Sequence, residues 1–312
     1  MDLTRPAHSP YPNGKRPGTL AQSATKPRQQ AAPFGEGHAI LQAGLRAVTP
    51  AETATAARDL INVKRLSKQY GGGAEPILAL KDIDFAVPEG EFLSIVGPSG
   101  CGKSTLLKIL AGLMPASHGE ALLNGTPIEG PRLDIGVVFQ SPVLFPWRSV
   151  LGNVLLPADV QHLGRAAVEK RAYDLLKLVG LNGFERRYPW ELSGGMQQRV
   201  ALVRALIHDP AFLLMDEPFG ALDAMTREQM NVELQRLWME RKKTVVFITH
   251  STAEAVFLGD RVMVMTPRPG QIADIFKVEL PRPRSLDVMN TEKFGGYVRR
   301  IRERLNAGGA LE

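Results

Sequence analysis

The sequence predicts an α/β domain with a largely parallel sheet. Three observations lead there. Short apolar runs at 92–96, 212–215, 244–249 and 261–265 have the length and composition of strands buried on both faces. Stretches with helical spacing separate them, and that alternation is the pattern of βα units. A glycine-rich loop follows the first run and opens a helix, while two carboxylates, Asp216 and Glu217, close the second.

Residues 1–58 are rich in Pro, Gly, Ala, Gln and Thr. They carry too few large apolar side chains to offset the entropy of ordering, so an unfolded extension is expected. Within it, Ile40, Leu41, Leu45 and Val48 allow one short helix over 39–48. The folded domain is expected over 59–281. Ile61, Val63 and Leu66 predict a first strand ending at Tyr70, and Gly71-Gly72-Gly73 predicts a turn. A further strand is expected over 135–139. Val168, Ala172, Leu175, Leu176 and Val179 fall on one helix face. The stretch 141–199 shows helical but not strand patterning and reads as a helical subdomain inserted into the sheet.

The tail, 282–312, carries Phe294, Tyr297, Val298, Ile301 and Leu305 at one helical face, with Arg299, Arg300, Arg302 and Arg304 around the rest. Asn290 or Thr291 would cap its start and Gly308-Gly309 would end it. Such a helix either packs on its own domain or meets a partner or an anionic membrane face.

Composition narrows the class. Hydrophobic residues make up 44% of the 312, ordinary for a globular core. The net charge of +6 (38 basic, 32 acidic) does not argue for a nucleic-acid partner, and suits a surface near anionic lipid equally well. One cysteine, Cys101, permits no internal disulfide and suits a reducing compartment. No apolar run reaches the ~18 residues of a membrane span, and the N-terminus lacks the apolar block of a signal peptide.

Gly97-Pro98-Ser99-Gly100-Cys101-Gly102-Lys103-Ser104 fits G-x-x-x-x-G-K-[ST] between an expected strand and a helix through Thr105. Its glycines let successive N–H groups face phosphate oxygens, and the helix start adds a favourable dipole. Lys103 supplies charge to the β- and γ-phosphates, and Ser104 an oxygen for Mg²⁺. Cys101 is expected to be a small filler. Asp216 and Glu217 end a buried strand, where open α/β sheets bind ligands. Asp216 would help hold Mg²⁺, and Glu217 would accept a proton from an attacking water.

Leu192-Ser193-Gly194-Gly195-Met196-Gln197-Gln198-Arg199 strongly resembles the LSGGQ signature of ABC ATPases, with Met196 in place of the usual Gln. Other elements of that family occur in the expected order over about 60–281. Gln140 resembles the Q-loop glutamine, Gly220-Ala221-Leu222-Asp223 the D-loop, His250 the switch histidine, and Tyr70 the aromatic that stacks on adenine. The resemblance implies a P-loop NTPase core with an inserted helical subdomain, and ATP and Mg²⁺ as its ligands. Glu217, His250 and Gln140 would act in hydrolysis, and Ser104, Gln140 and Asp216 would serve the metal. It further implies a homodimer in which Ser193, Gly194 and Gly195 of one copy cover the ATP of the other.

Ser141-Pro142-Val143-Leu144-Phe145-Pro146-Trp147, with Asn153-Val154 after it, resembles importers for nitrate, sulfonates and taurine. That implies integral membrane permease subunits as partners, a solute-binding protein acting through them, and a location on the cytoplasmic face of the membrane. The alternatives are an exporter ATPase or an ABC ATPase acting on nucleic acid or ribosomes. The latter types carry long heptads, paired cysteines or two cassettes, and this chain has none of these.

Overall fold

A computed structural model describes residues 58–71, 76–220 and 222–307. The extension up to residue 57 with its expected helix over 39–48, Gly72 and Gly73 of the expected turn, Ala221, and Gly308-Gly309 lie outside the described residues. The chain runs β1 (Asp59–Tyr70), β2 (Ile77–Pro88), β3 (Phe92–Val96), α1 (Lys103–Leu110), β4 (His118–Leu123), β5 (Thr126–Pro127), β6 (Ile135–Val138), α2 (Val150–Val160), α3 (Arg165–Leu178), α4 (Gly194–Leu206), β7 (Phe212–Asp216), α5 (Ala224–Arg241), β8 (Thr244–Ile248), α6 (Thr252–Leu258), β9 (Arg261–Met265), β10 (Ile272–Lys277) and α7 (Glu292–Ala307).

The apolar runs become the centre of a six-stranded sheet, in the order β10-β9-β3-β8-β7-β6. All its pairings are parallel except β10 with β9. Alternate residues divide between two cores, because successive side chains of a strand point to opposite faces. Phe92, Leu213, Met215, Val245 and Phe247 join the core under α2 to α7. Leu93, Ile95, Phe212, Leu214 and Ile248 join a second core with α1.

That second core is closed by a separate antiparallel sheet, β2-β1-β4-β5, which the sequence reading did not contain beyond β1. Its strands are half buried and irregular. The β1–β2 register shifts at several points, and Arg65 and Asp82 sit at φ 43° and 46°, so the period-two alternation is broken within both strands. Between β6 and β7 the chain is helical, and Val168, Ala172, Leu175, Leu176 and Val179 are all buried.

α7 starts on Thr291 rather than Asn290: the Thr291 hydroxyl accepts from the Phe294 amide at 3.3 Å. Its face packs on the larger core through buried Phe294 and Ile301. Tyr297 stacks on Phe276 at 5.9 Å, and its hydroxyl accepts from the Glu279 amide at 2.9 Å. Arg300 and Arg304 are not simply solvated, since both pair with Asp274 of β10 at 3.0 and 3.2 Å.

The parallel strands leave one functional edge. The C-terminal ends of β3, β6, β7, β8 and β9 lead into the phosphate loop, Gln140, Glu217, His250 and the turn 266–271 respectively.

Candidate functional site

The phosphate loop owes its shape to close contacts that only glycine permits. Gly102 caps α1 at φ 99°, and a Cβ there would lie 2.6 Å from Leu80 Cδ2. No side chain caps α1, so its first amides remain for a ligand. The buried Cys101 thiol fills space beneath Gly97, where an added Cβ would meet its Sγ at 2.8 Å. Burial pushes that thiol's pKa up, against the pull of Lys103, so the expected filler role fits. Lys103 is buried and donates to the Gly97 and Pro98 carbonyls at 2.8 and 3.0 Å, folded back on its own loop.

A cavity of about 480 Å³ opens over this loop. Tyr70, Ser99, Gly100, Gly102, Lys103, Ser104, Thr105, Gln140 and Glu217 line it together, although they come from distant parts of the chain. The Tyr70 hydroxyl lies 3.1 Å from Thr105 Oγ1 and donates to Met114 Sδ at 3.2 Å. Gln140 Nε2 donates to Glu217 Oε2 at 3.2 Å, and His250 Nδ1 lies 3.3 Å from the same oxygen. Glu217 sits at φ 44°, a conformation uncommon outside glycine and concentrated at functional sites. Its amide is fixed by the Ile248 carbonyl at 2.9 Å.

Ser104 Oγ donates to Asp216 Oδ1 at 3.2 Å. Burial raises the Asp216 pKa and the neighbouring Glu217 charge raises it further, against the Ser104 hydrogen bond and two lysines. A carboxylate left short of positive charge, beside a hydroxyl, offers oxygen donors that suit a hard divalent cation.

Ser193, Gly194 and Gly195 lie outside this cavity. Ser193 caps α4, its hydroxyl accepting from the Met196 amide at 3.3 Å. Asp223 caps α5 in the same way through Thr226 at 3.0 Å.

The cavity also takes in Ile77, Ala79 and Arg268, which the sequence reading missed. Arg268 follows β9, whose apolar run is legible in the sequence, but no motif marks the end of that strand as part of the cavity. A second depression, of about 430 Å³, is apolar. Leu133, Phe139, Val143, Phe145, Leu156 and Val160 are among its lining residues. Phe145 packs against Trp147, which is 70% exposed. No described helix is long and apolar enough to cross a membrane.

Residues 80–220 match a family described as "ABC transporter". The chain is similar to the aliphatic sulfonates import ATP-binding protein SsuB of Bacillus licheniformis, 45% identical over 225 residues, covering 72% of this chain and 87% of the relative. It is similar also to the taurine import ATP-binding protein TauB of Pseudomonas fluorescens, 48% identical over 215 residues, 69% and 81% of the two chains. Among solved structures, a dimeric ATP-binding cassette in a post-hydrolysis state bound to ADP and Pi matches with TM-score 0.63 and 36% identity, over 71% of this chain and 100% of that one.

Proposed function

The chain belongs to the ABC transporter ATP-binding family, and from that premise we propose that it powers the import of nitrate, a sulfonate, taurine or a similar small solute. One observation carries the catalytic part of the reading. The phosphate loop, the Ser104–Asp216 pair and the Gln140–Glu217–His250 cluster converge on one cavity at the sheet's functional edge.

In this reading the uncapped amides at the start of α1 take phosphate oxygens, and Lys103 swings from its loop carbonyls to the β- and γ-phosphates. Tyr70 stacks on the adenine. Glu217 orients the attacking water and takes its proton, held in place by Gln140 and His250. Ser104, Asp216 and Gln140 would hold Mg²⁺, which supplies neutralisation of the phosphate charge. The exposed Ser193 hydroxyl and the Gly194-Gly195 helix start serve the ATP of a second copy, because they lie away from the cavity of their own chain. The dimeric form of the solved relative supports that arrangement.

The apolar groove is the docking place for a helix of the membrane permease. That assignment puts the chain on the cytoplasmic face of the membrane and leaves the solute to the permease and its binding protein. The deciding experiment is reconstitution with the cognate permease in liposomes. ATP-dependent uptake of labelled taurine or an alkanesulfonate is expected. ATP hydrolysis with uptake of neither these nor nitrate would overturn the substrate assignment while leaving the ATPase standing.

A further inference from the structure

The turn after β9 is hydrogen-bonded to β2 and lies close against the phosphate loop. Within it, the Thr266 amide donates to Gln271 O at 2.9 Å, and the Gln271 amide to Thr266 Oγ1 at 3.0 Å. Toward β2, the Gly270 amide donates to Ala79 O at 2.9 Å, and the Gly270 carbonyl accepts from the Lys81 amide at 3.0 Å. Toward the phosphate loop, the approach is so close that a Cβ on Gly270 would lie 1.9 Å from Cys101 O. The backbone on both sides of Arg268 is therefore fixed relative to the loop, while the Arg268 side chain is exposed and lines the nucleotide cavity. A Cβ built on Gly100 would lie 3.7 Å from an Arg268 guanidinium nitrogen. Among the described residues Arg268 makes no ion pair, unlike the arginines braced on Asp134, Glu91 or Asp260.

We infer that Arg268 is a phosphate-binding residue of this site, a second cation that meets the nucleotide from the β9–β10 turn. The inference rests on the nucleotide reading above. Its logic is electrostatic. A triphosphate brings about four negative charges, and the cavity already holds the Glu217 carboxylate with Asp216 close behind it. Lys103 is the other cation lining the cavity, and it is partly satisfied by its own loop. A guanidinium on the rim offers a planar fork suited to two phosphate oxygens, and it is weakly hydrated, so it gives up water more readily than an ammonium. Because the turn is fixed, the cost of positioning it is confined to the side chain.

The test is binding of a fluorescent ATP analogue to the full chain, with unlabelled ATP, ADP, AMP and adenosine as competitors. Arg268→Ala is expected to weaken ATP and ADP binding about tenfold, the scale of a lost charge-assisted hydrogen bond. The loss should shrink toward AMP and vanish for adenosine. Arg268→Lys should recover part of the affinity, since it keeps the charge and loses the fork. Added salt should narrow the gap between parent and Arg268→Ala. Unchanged ATP affinity in Arg268→Ala would overturn the inference, as would an equal loss for adenosine, which would assign the residue to the nucleoside. Nucleotide affinity that stays intact while the ATP-driven dimer is lost would assign it to the partner copy instead, and also overturns it. If the parent bound no adenine nucleotide at all, the underlying functional reading would be the one to fall.

Discussion

One segment, residues 139–145, serves two depressions of opposite chemistry. Gln140 lines a cavity with Ser99, Lys103, Ser104, Glu217 and Arg268, while Phe139, Val143 and Phe145 line a groove with Leu133, Leu156 and Val160. The polar cavity holds cations and carboxylates that do not cancel in place, so it is completed by a small ligand bringing its own charge. The apolar groove offers few polar partners, and in the reading proposed above it receives apolar side chains of the permease. A single short segment running from one to the other is a physical path by which occupancy of the cavity can bias the shape of the groove.

The largest expected effects fall in the cavity. Glu217→Gln should lower kcat by at least ~100-fold while keeping ATP affinity, since it removes a proton acceptor and little bulk. Lys103→Ala should instead lose affinity. Nucleotide binding and steady-state hydrolysis measured on both variants check the division. Equal behaviour of the two would collapse the distinction between phosphate-binding and water-activating residues. Permease docking should survive Glu217→Gln, and its loss would break the comparison at once.

Next comes assembly. In a Glu217→Gln background ATP should drive dimerisation, and Ser193→Arg should abolish it by placing bulk and charge at the exposed start of α4. Sedimentation with and without ATP reads this directly. A dimer that persists would mean that α4 does not face the second nucleotide.

The sequence made the cavity more legible than the groove. The phosphate-site motifs at 97–104 and Asp216-Glu217 are contiguous and stand out in the sequence, while His250 was reached only through the family resemblance. The buried parallel strands are equally plain, because both faces are covered and 92–96 and 244–248 read as apolar runs broken only by Ser94 and Thr244. What distance in space decides was hidden. That Gln140 and His250 meet the same Glu217 oxygen follows from the β6-β7-β8 order, which periodicity cannot supply. Arg268 enters through β9, an element with no motif. The antiparallel sheet escaped because charges at Lys81 and Asp82 and the bulged β1–β2 register blur its alternation. The groove gathers residues from four separated stretches, 111–113, 131–145, 156–161 and 204–208, and in sequence only the segment around Phe145 stood out.

A smaller, more selective effect is expected in the groove. Leu133 and Val160 are 67% and 66% exposed, so replacing both with Asp should cost the isolated chain well under ~1 kcal/mol. Co-purification with the permease should nevertheless fall at least tenfold, because two charges would be desolvated in an apolar contact. Full retention of the permease would remove the groove from the coupling path and leave the cavity to act alone.

The smallest effect sharpens the comparison by asking whether α7 is a third contact surface or part of the fold. Its apolar face is already spent on Phe276 and the larger core. Asp274 is only 14% exposed on its side chain, while Arg300 and Arg304, which reach it, are about half exposed. Exposed ion pairs contribute ~0.2–1 kcal/mol each. Replacing both arginines with Gln strips Asp274 of its charge partners, so about 1 kcal/mol in total is expected, a fall in Tm of roughly 2–4 °C for a domain of this size. Higher ionic strength should shrink the difference, since the pairs are screened from the solvent side. Arg299 and Arg302 make no ion pair among the described residues, and replacing them with Gln should leave Tm within error. The two double variants together separate the roles. Stability lost only with Arg300 and Arg304, and no binding of the parent to anionic liposomes, makes α7 a strut of its own domain. Liposome binding by the parent that disappears with Arg299 and Arg302 would instead make the outer face of α7 a membrane contact, working beside the groove.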